Sequence, residues 1–339
     1  MLILSFRDMS TAVASAVTAA AVYDLDVTSP DFKWHPPPKL SLAQWDDVKL
    51  ALAGKHVCFV VHGFNVPRDD GYTGFGAASQ EMTPYGALPG MAAPGPWNLA
   101  VSGVDIAVPV LWAGDWYLPI NYPFLLPDVR LTGSYFADLI LSSATQMARV
   151  SFVTHSMGAR VVLEAIQQTL ARAAQKGYRT PKFDTVLFTA PATSDEVLDD
   201  PDYALAVDAV ERFVVVSSRA DKVLSVVFPA GNAVEQALWA NDPGADAALG
   251  RYGPRLKVGS KALGKTEWYE IPEGDDDPRF NQGHEDYFPW PWQQPPDPGF
   301  PNGWSLKRAN IGIIAQAVLE NRIPPWPPAK TVTPRATDS

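Results

Sequence analysis

Six short, mostly apolar runs separated by helical or loop segments are the feature that most constrains the fold of this chain. The runs are His56–Val61, Val104–Leu111, Val150–Thr154, Thr185–Thr189, Arg212–Ser217 and Thr266–Ile271. Continuous apolar runs of this length are typical of strands that are covered on both faces. Because such strands alternate with helices here, the sequence predicts an α/β fold with a mostly parallel, doubly wound sheet.

Helices are predicted where apolar residues recur every third or fourth position. One helix is expected over Ala159–Lys176, with Gly177 placed to end it, and a last helix over about Ser305–Asn321. At the N-terminus we expect a strand, Leu2–Phe6, followed by an alanine-rich helix in Thr11–Val22. The same apolar stretch resembles the core of a secretory signal, but acidic and mixed charges flank it instead of a basic leader.

We expect a single domain over residues 1–339. Residues 67–99 are rich in Gly, Pro and Ala without a clear period, which predicts a long loop or lid insertion. The segment 289–339 combines a Pro/Trp-rich stretch with the C-terminal helix, and we expect it to pack on the core.

Composition excludes several classes of protein. The chain has 27 basic and 37 acidic residues, and a net charge of −10 repels nucleic acids and anionic membranes. Cys58 is the one cysteine, so neither an intrachain disulfide nor a cysteine-rich zinc cluster is expected, and its thiol is interpreted as buried and inert. No apolar run reaches the length of a membrane-spanning helix. We expect a cytoplasmic protein, with secretion as the alternative.

Residues 154–158, Thr-His-Ser-Met-Gly, follow the run Val150–Val153 and lead into the predicted helix. A strand, a tight turn and a helix in this order are typical of a nucleophile elbow, which exposes a serine hydroxyl above the sheet. Ser156 would be the nucleophile, and the Met157 N–H at the helix start would stabilise an oxyanion. Thr154 departs from the pattern, because glycine usually stands two residues before the serine.

A second loop, His62-Gly63-Phe64-Asn65, also follows an apolar run. Ligands of open α/β sheets bind at the carboxyl ends of the strands. The glycine lets the chain turn, so the Phe64 N–H is expected to join that of Met157 in an oxyanion hole. We interpret His62 itself as a structural histidine that hydrogen-bonds its own loop.

These two motifs and the order of the runs resemble the α/β-hydrolase superfamily, particularly a branch of unknown function, over about residues 50–320. The resemblance implies the chain order serine, acid, histidine. Of the five histidines only His284 follows the serine, so it would be the base. Asp221, just beyond Arg212–Ser217, takes the position of the acid, and Asp195 and Glu196 are the competitors.

A serine, a histidine and a carboxylate together predict acyl chemistry with no cofactor and no metal. An acidic run at 273–277 lacks the pattern of a calcium loop, and His56 and His62 lack a third zinc ligand. We expect a small-molecule ester substrate with an apolar or aromatic acyl part. Its pocket would be walled by Trp112, Trp116, Tyr287 and Phe288, unless such rings merely cover the sheet.

The sequence predicts a serine hydrolase that cleaves carboxylic esters, and it leaves two alternatives to this function open. The same triad serves acyltransferases, thioesterases and amidases, which differ in the leaving group or the acceptor. A catalytically silent hydrolase fold that acts as a binding module is the other, and the Thr154 departure is its main support. The oligomeric state is not predicted.

Overall fold

The computed structural model of the chain describes residues 2–10, 16–24, 41–68, 103–115, 125–143, 147–229, 247–274, 277, 279–288 and 306–335. Most of the predicted insertion at 67–99, and the first part of the predicted segment 289–339, lie outside the described residues. The division into domains stays a prediction.

The described residues form ten strands and seven helices. The strands are β1 (Leu2–Arg7), β2 (Val17–Asp24), β3 (Ser41–Leu42), β4 (His56–Val61), β5 (Ile106–Trp112), β6 (Arg149–His155), β7 (Lys182–Thr189), β8 (Arg212–Ser218), β9 (Thr266–Ile271) and β10 (Ala329–Lys330). The helices are α1 (Trp45–Leu52), α2 (Leu126–Ser143), α3 (Gly158–Lys176), α4 (Ala204–Ala209), α5 (222–229), α6 (Leu249–Tyr252) and α7 (Leu306–Leu319). Short 3₁₀ turns lie at Val197–Asp199, Pro201–Tyr203, Leu263–Lys265 and His284–Asp286.

All ten strands belong to one sheet, in the order β10-β9-β8-β7-β6-β4-β5-β1-β2-β3. Its seven central strands run parallel, and β2, β3 and β10 add antiparallel strands at the two edges. In β4 every residue is buried, so both faces of the centre are covered. The predicted α/β class with a mostly parallel, doubly wound sheet is confirmed.

The six apolar runs and Leu2–Phe6 all form strands; His56–Val61 and Thr266–Ile271 match their predicted bounds, and the ends of the others lie within three residues of them. The predicted central and C-terminal helices are also present as α3 and α7, and Gly177 ends α3 in the left-handed conformation, at φ +66°. Helices α1 and α2 were not predicted. Within the described ranges, none of the helices combines the length and apolarity needed to cross a membrane.

The alanine-rich helix predicted for Thr11–Val22 is wrong where the structure describes this segment. Val17–Asp24 is strand β2, which pairs antiparallel with β1 from Leu2↔Asp24 to Arg7↔Val17. The segment also contains β-branched and aromatic residues, which favour strands. Pairing with the otherwise open side of β1 outweighs the weak helix preference of three alanines.

Phenylalanine rings link the sheet to α2. The Phe136 ring of α2 lies 5.3 Å from Phe6, 5.0 Å from Phe59 and 6.0 Å from Phe152, measured between ring centroids. These three partners come from β1, β4 and β6. Aromatic contacts of this kind add to the large apolar area that each ring buries. The phenylalanine cluster therefore fixes α2 over the centre of the sheet.

Helix α2 also packs closely against α3 at Gly133. A Cβ atom at this position would lie 2.6 Å from the Glu164 Cβ and 3.1 Å from the Ala165 nitrogen of α3. Both atoms belong to or adjoin the helix backbone, so they cannot move aside cheaply. The α2–α3 contact therefore depends on a residue without a side chain.

We expect Gly133→Leu to lower the free energy of unfolding by about 1–3 kcal/mol, measured by urea denaturation. Leucine has a higher helix propensity than glycine, so a loss would come from overpacking against α3. Gly264→Ala is the control, since a Cβ there meets nothing within 4 Å. Equal stability of the Gly133→Leu chain and the wild type would contradict the close α2–α3 contact.

Candidate active site

Ser156 lies in a two-residue turn between the end of β6 and the start of α3. Its φ of +53° is in the left-handed region, which non-glycine residues rarely adopt. The Ser156 N–H donates to the Thr189 carbonyl of β7 at 3.1 Å, which ties the turn to the neighbouring strand. Strain that is held in place in this way is common at functional residues.

Two glycines make room for this turn. A Cβ on Gly63 would lie 2.7 Å from the Ser156 Cβ, and a Cβ on Gly158 would lie 2.6 Å from the His62 carbonyl oxygen. The loop after β4 and the start of α3 therefore meet at the serine, backbone against backbone. Thr154, the departure from the usual pattern, is fully buried, and its carbonyl accepts from the Thr189 hydroxyl at 2.7 Å. The sheet accommodates it.

His284 connects the serine to a carboxylate. Its Nε2 lies 2.9 Å from Ser156 Oγ, and its Nδ1 lies 2.7 Å from Asp221 Oδ2. Because an ionised carboxylate only accepts hydrogen bonds, Nδ1 carries the proton and Nε2 has a free lone pair toward the serine. The hydroxyl then donates to Nε2. This is the tautomer that a general base requires.

Asp221 is fully buried, and its position is fixed by the backbone. Oδ1 accepts the Leu224 N–H at 2.9 Å, at the start of α5, which leaves Oδ2 for His284. The competitors Asp195 and Glu196 lie after β7. Glu196 contacts the guanidinium groups of Arg335 and Arg255 instead. Among the three acids proposed from the sequence, Asp221 is the one that contacts the histidine.

The loop after β4 is held by the side chain of His62. His62 Nδ1 donates to the Gly63 carbonyl at 2.7 Å, and Nε2 accepts the Trp112 N–H at 3.0 Å. In a trans peptide the carbonyl and the following N–H point in opposite directions. The bond to the Gly63 carbonyl therefore also sets the direction of the Phe64 N–H. His62 bonds its own loop, as the sequence interpretation has it.

Met157 supplies the second N–H of the predicted oxyanion hole. It is the N-cap residue of α3, so its N–H lies at the positive end of the helix dipole. Its side chain is fully buried in the core, which leaves only the backbone for a role in the site. Gly63 contacts Ser156 from the other side, so both loops that carry the N–H groups border the nucleophile.

Three residues of the predicted aromatic wall lie in the described part of the chain, and all three are buried. Trp112 and Tyr287 have no exposed surface and Phe288 is 1% exposed, so these rings are part of the core and not of an open cleft. Trp112 stacks on His62, and its Nε1 donates to the His62 carbonyl at 2.8 Å. That these rings line an acyl pocket stays a prediction. Trp116 lies outside the described residues.

Sequence reasoning missed two features of this edge of the sheet. Arg7 and Asp115, at the ends of β1 and β5, form a fully buried ion pair at 2.9 Å. Two opposite charges after adjacent predicted strands were the available signal. His155, directly before the serine, contacts the backbone of His284. Its place inside the motif was the only signal for it.

Residues 134–235 match the model of a family described as alpha/beta hydrolase of unknown function. The match and the fold support membership of the α/β-hydrolase superfamily. The matched range includes Ser156 and Asp221 and ends before His284. No curated protein matches the chain.

The described part of the chain offers no group of three or more His, Cys, Asp or Glu side chains arranged to hold a metal ion. His56 illustrates why. Its Nδ1 donates to the Gly103 carbonyl at 3.1 Å, and its Nε2 accepts from the Ser151 hydroxyl at 2.8 Å. Both ring nitrogens are thus engaged with the protein itself.

The neutral buried histidines should make the fold sensitive to acid. Burial lowers the pKa of His62 to about 3, well below the 6.5 of an unperturbed histidine. As the pH falls below about 6.5, the unfolded chain binds a proton at this position that the folded chain does not. The free energy of unfolding then falls by about 1.4 kcal/mol per pH unit from His62 alone.

We therefore expect the His62→Gln variant to lose stability less steeply between pH 6 and pH 4.5 than the wild type. The difference in slope should be about 1.4 kcal/mol per pH unit, from urea unfolding at several pH values. Other groups contribute equally to both chains and cancel. Identical slopes would show that His62 takes up a proton in the folded chain.

Proposed function

We propose that this chain is a serine hydrolase that cleaves carboxylic esters through an acyl-enzyme intermediate. The observation that carries the proposal is the pair of contacts of His284, with Ser156 on one ring nitrogen and Asp221 on the other. A serine hydroxyl alone is a poor nucleophile at neutral pH and needs a base within hydrogen-bond distance.

In the first half-reaction, Ser156 Oγ attacks the ester carbonyl while His284 Nε2 takes the hydroxyl proton. The carbonyl oxygen becomes an oxyanion that accepts from the N–H groups of Phe64 and Met157. When the tetrahedral species collapses, the bond to the alcohol oxygen breaks and His284 returns its proton to that oxygen. The alcohol leaves, and the acyl group remains on Ser156.

In the second half-reaction, water takes the place of the alcohol. The water oxygen attacks the acyl carbon while His284 accepts a proton from the water. His284 then donates that proton to Ser156 Oγ as the acyl bond to the serine breaks. The carboxylic acid leaves and the free serine is restored. Asp221 accepts the hydrogen bond from the His284 Nδ1–H throughout, and it stabilises the imidazolium that forms twice in each cycle.

Two features support an active site over a silent binding module. Ser156 is held at a strained φ of +53°, and such strain is retained where a function requires it. Ser156 as a whole is 4% exposed, and its hydroxyl oxygen lies 2.9 Å from His284 Nε2. Thr154, the main support for a silent module, fits within β6.

We propose small esters with an apolar or aromatic acyl part as the substrate class. Phe64 packs partly buried against the core beside the nucleophile, and Val66 is buried in the same loop. Acyltransferase, thioesterase and amidase activities use the same groups and differ in the acceptor or leaving group. A panel of p-nitrophenyl esters, thioesters and anilides separates activities that differ in an oxygen, sulfur or nitrogen leaving group.

We expect a fluorophosphonate probe to label the wild-type chain covalently, because it reacts with a serine that a base activates. Ser156→Ala should abolish the label, as seen by intact-mass measurement. Ser151→Ala is the matched control, since Ser151 is buried on β6, the strand that leads to Ser156, and its hydroxyl bonds His56. Asp221→Asn should slow the labelling by about 10³–10⁴-fold, because the Leu224 N–H keeps the amide oxygen and the NH₂ group then faces His284 Nδ1, which favours the wrong tautomer.

The ester panel completes the test. Hydrolysis of at least one short, long or aromatic ester, lost in Ser156→Ala, is the expected result. A wild-type chain that folds, takes no label and spares every ester would overturn the proposal in favour of a binding module. Labelling that persists in Ser156→Ala would show that a residue other than Ser156 is the nucleophile.

A further inference from the structure

His155 lies behind the base, at the end of β6 and directly before the nucleophile. Its Nε2 is 2.9 Å from the backbone carbonyl oxygen of His284, and the two rings are 4.9 Å apart between centroids. Because a carbonyl oxygen only accepts, Nε2 of His155 carries the proton and donates it. The residue is 5% exposed.

We infer that His155 is a positioning residue that holds His284 between Ser156 and Asp221 by binding its main-chain carbonyl. The inference rests on the proposed function and goes beyond it, because the motif needs no histidine at this position. His155 touches neither the nucleophilic oxygen nor the acid in the hydrogen bonds described above. It acts through the base.

The loop of the base explains why such a contact is needed. His284 belongs to a single 3₁₀ turn, His284–Asp286, in an otherwise irregular stretch, so no helix or strand ladder fixes it. His155, in contrast, is the last residue of a central strand. One rigid backbone thus carries the nucleophile and, one residue earlier, the donor that binds the base.

Contacts from α7 hold the loop on either side of His284. Lys307 Nζ donates to the Asn281 carbonyl at 2.6 Å, and Arg308 donates to the Glu285 carbonyl at 3.3 Å. Both residues belong to α7. If His155 lost its donor, these contacts would still keep the loop on the fold. The expected loss is therefore one of alignment at His284 and not of folding.

A neutral donor suits this place. His284 gains a positive charge each time it takes a proton, and a lysine or arginine at position 155 would repel that charge. Burial, and next the neighbouring His284, lower the pKa of His155 well below its usual range. Among the described residues, His284, His62, Tyr287 and Phe288 face its ring.

The test compares His155→Leu, which removes the donor, with His155→Gln, which keeps an N–H near the former Nε2. In His155→Leu we expect kcat for an ester, and the rate of fluorophosphonate labelling, to fall about 10- to 100-fold with KM little changed. The acid limb of kcat/KM should move to lower pH, because a misaligned imidazolium loses the Asp221 carboxylate. His155→Gln should recover most of the rate and restore the limb.

His56→Leu is the matched control. His56 is also buried, at 4% exposed, and also donates to a backbone carbonyl, but it begins β4 at the far end of the strand from His62. It should lose stability and keep the wild-type kcat and pH profile. The inference is overturned if His155→Leu keeps the wild-type rate, or if His155→Leu and His56→Leu slow the reaction equally. It is also overturned if His155→Gln fails to restore the pH profile.

The two levels of the proposal fail in different ways. A folded wild-type chain that takes no label overturns the proposed function, and this inference with it. Labelling of the wild type together with an unaffected His155→Leu variant overturns the inference alone.

Discussion

The site depends on a close approach of three backbone segments around Ser156. The loop after β4 meets the nucleophile at Gly63, and the start of α3 meets the end of β4 at Gly158, both at distances that no Cβ would allow. This contact borders the turn in which Ser156 adopts its φ of +53°. Parallel strands with their carboxyl ends at one edge make the approach possible.

Three histidines serve this site in two ways. His284 contacts both the nucleophile and the acid, whereas His62 and His155 donate to backbone carbonyls and stay neutral because they are buried. A neutral imidazole can donate on one nitrogen and accept on the other, which no lysine or arginine can do. The two buried rings therefore bind loop carbonyls without adding charge beside His284, the proposed base.

Much of the fold and part of the site could be predicted from the sequence. Continuous apolar runs predicted the central strands because full burial leaves no polar alternation to confuse the pattern. Counting alone made His284 the base once the chain order was assumed. Strand β2 was missed because pairing with β1 is a tertiary effect that outweighs local preference. The sequence did not show that Trp112 and Tyr287 are fully buried, because the burial of a ring in a loop is a tertiary property.

A crystal structure of the chain after reaction with a fluorophosphonate tests the central claim most directly, since the phosphonyl group mimics the tetrahedral intermediate. The account predicts a bond from phosphorus to Ser156 Oγ, with one oxygen about 3 Å from the N–H groups of both Phe64 and Met157. His284 should remain bonded to Asp221. An adduct on another residue, or an oxygen that points away from both N–H groups, would contradict the account.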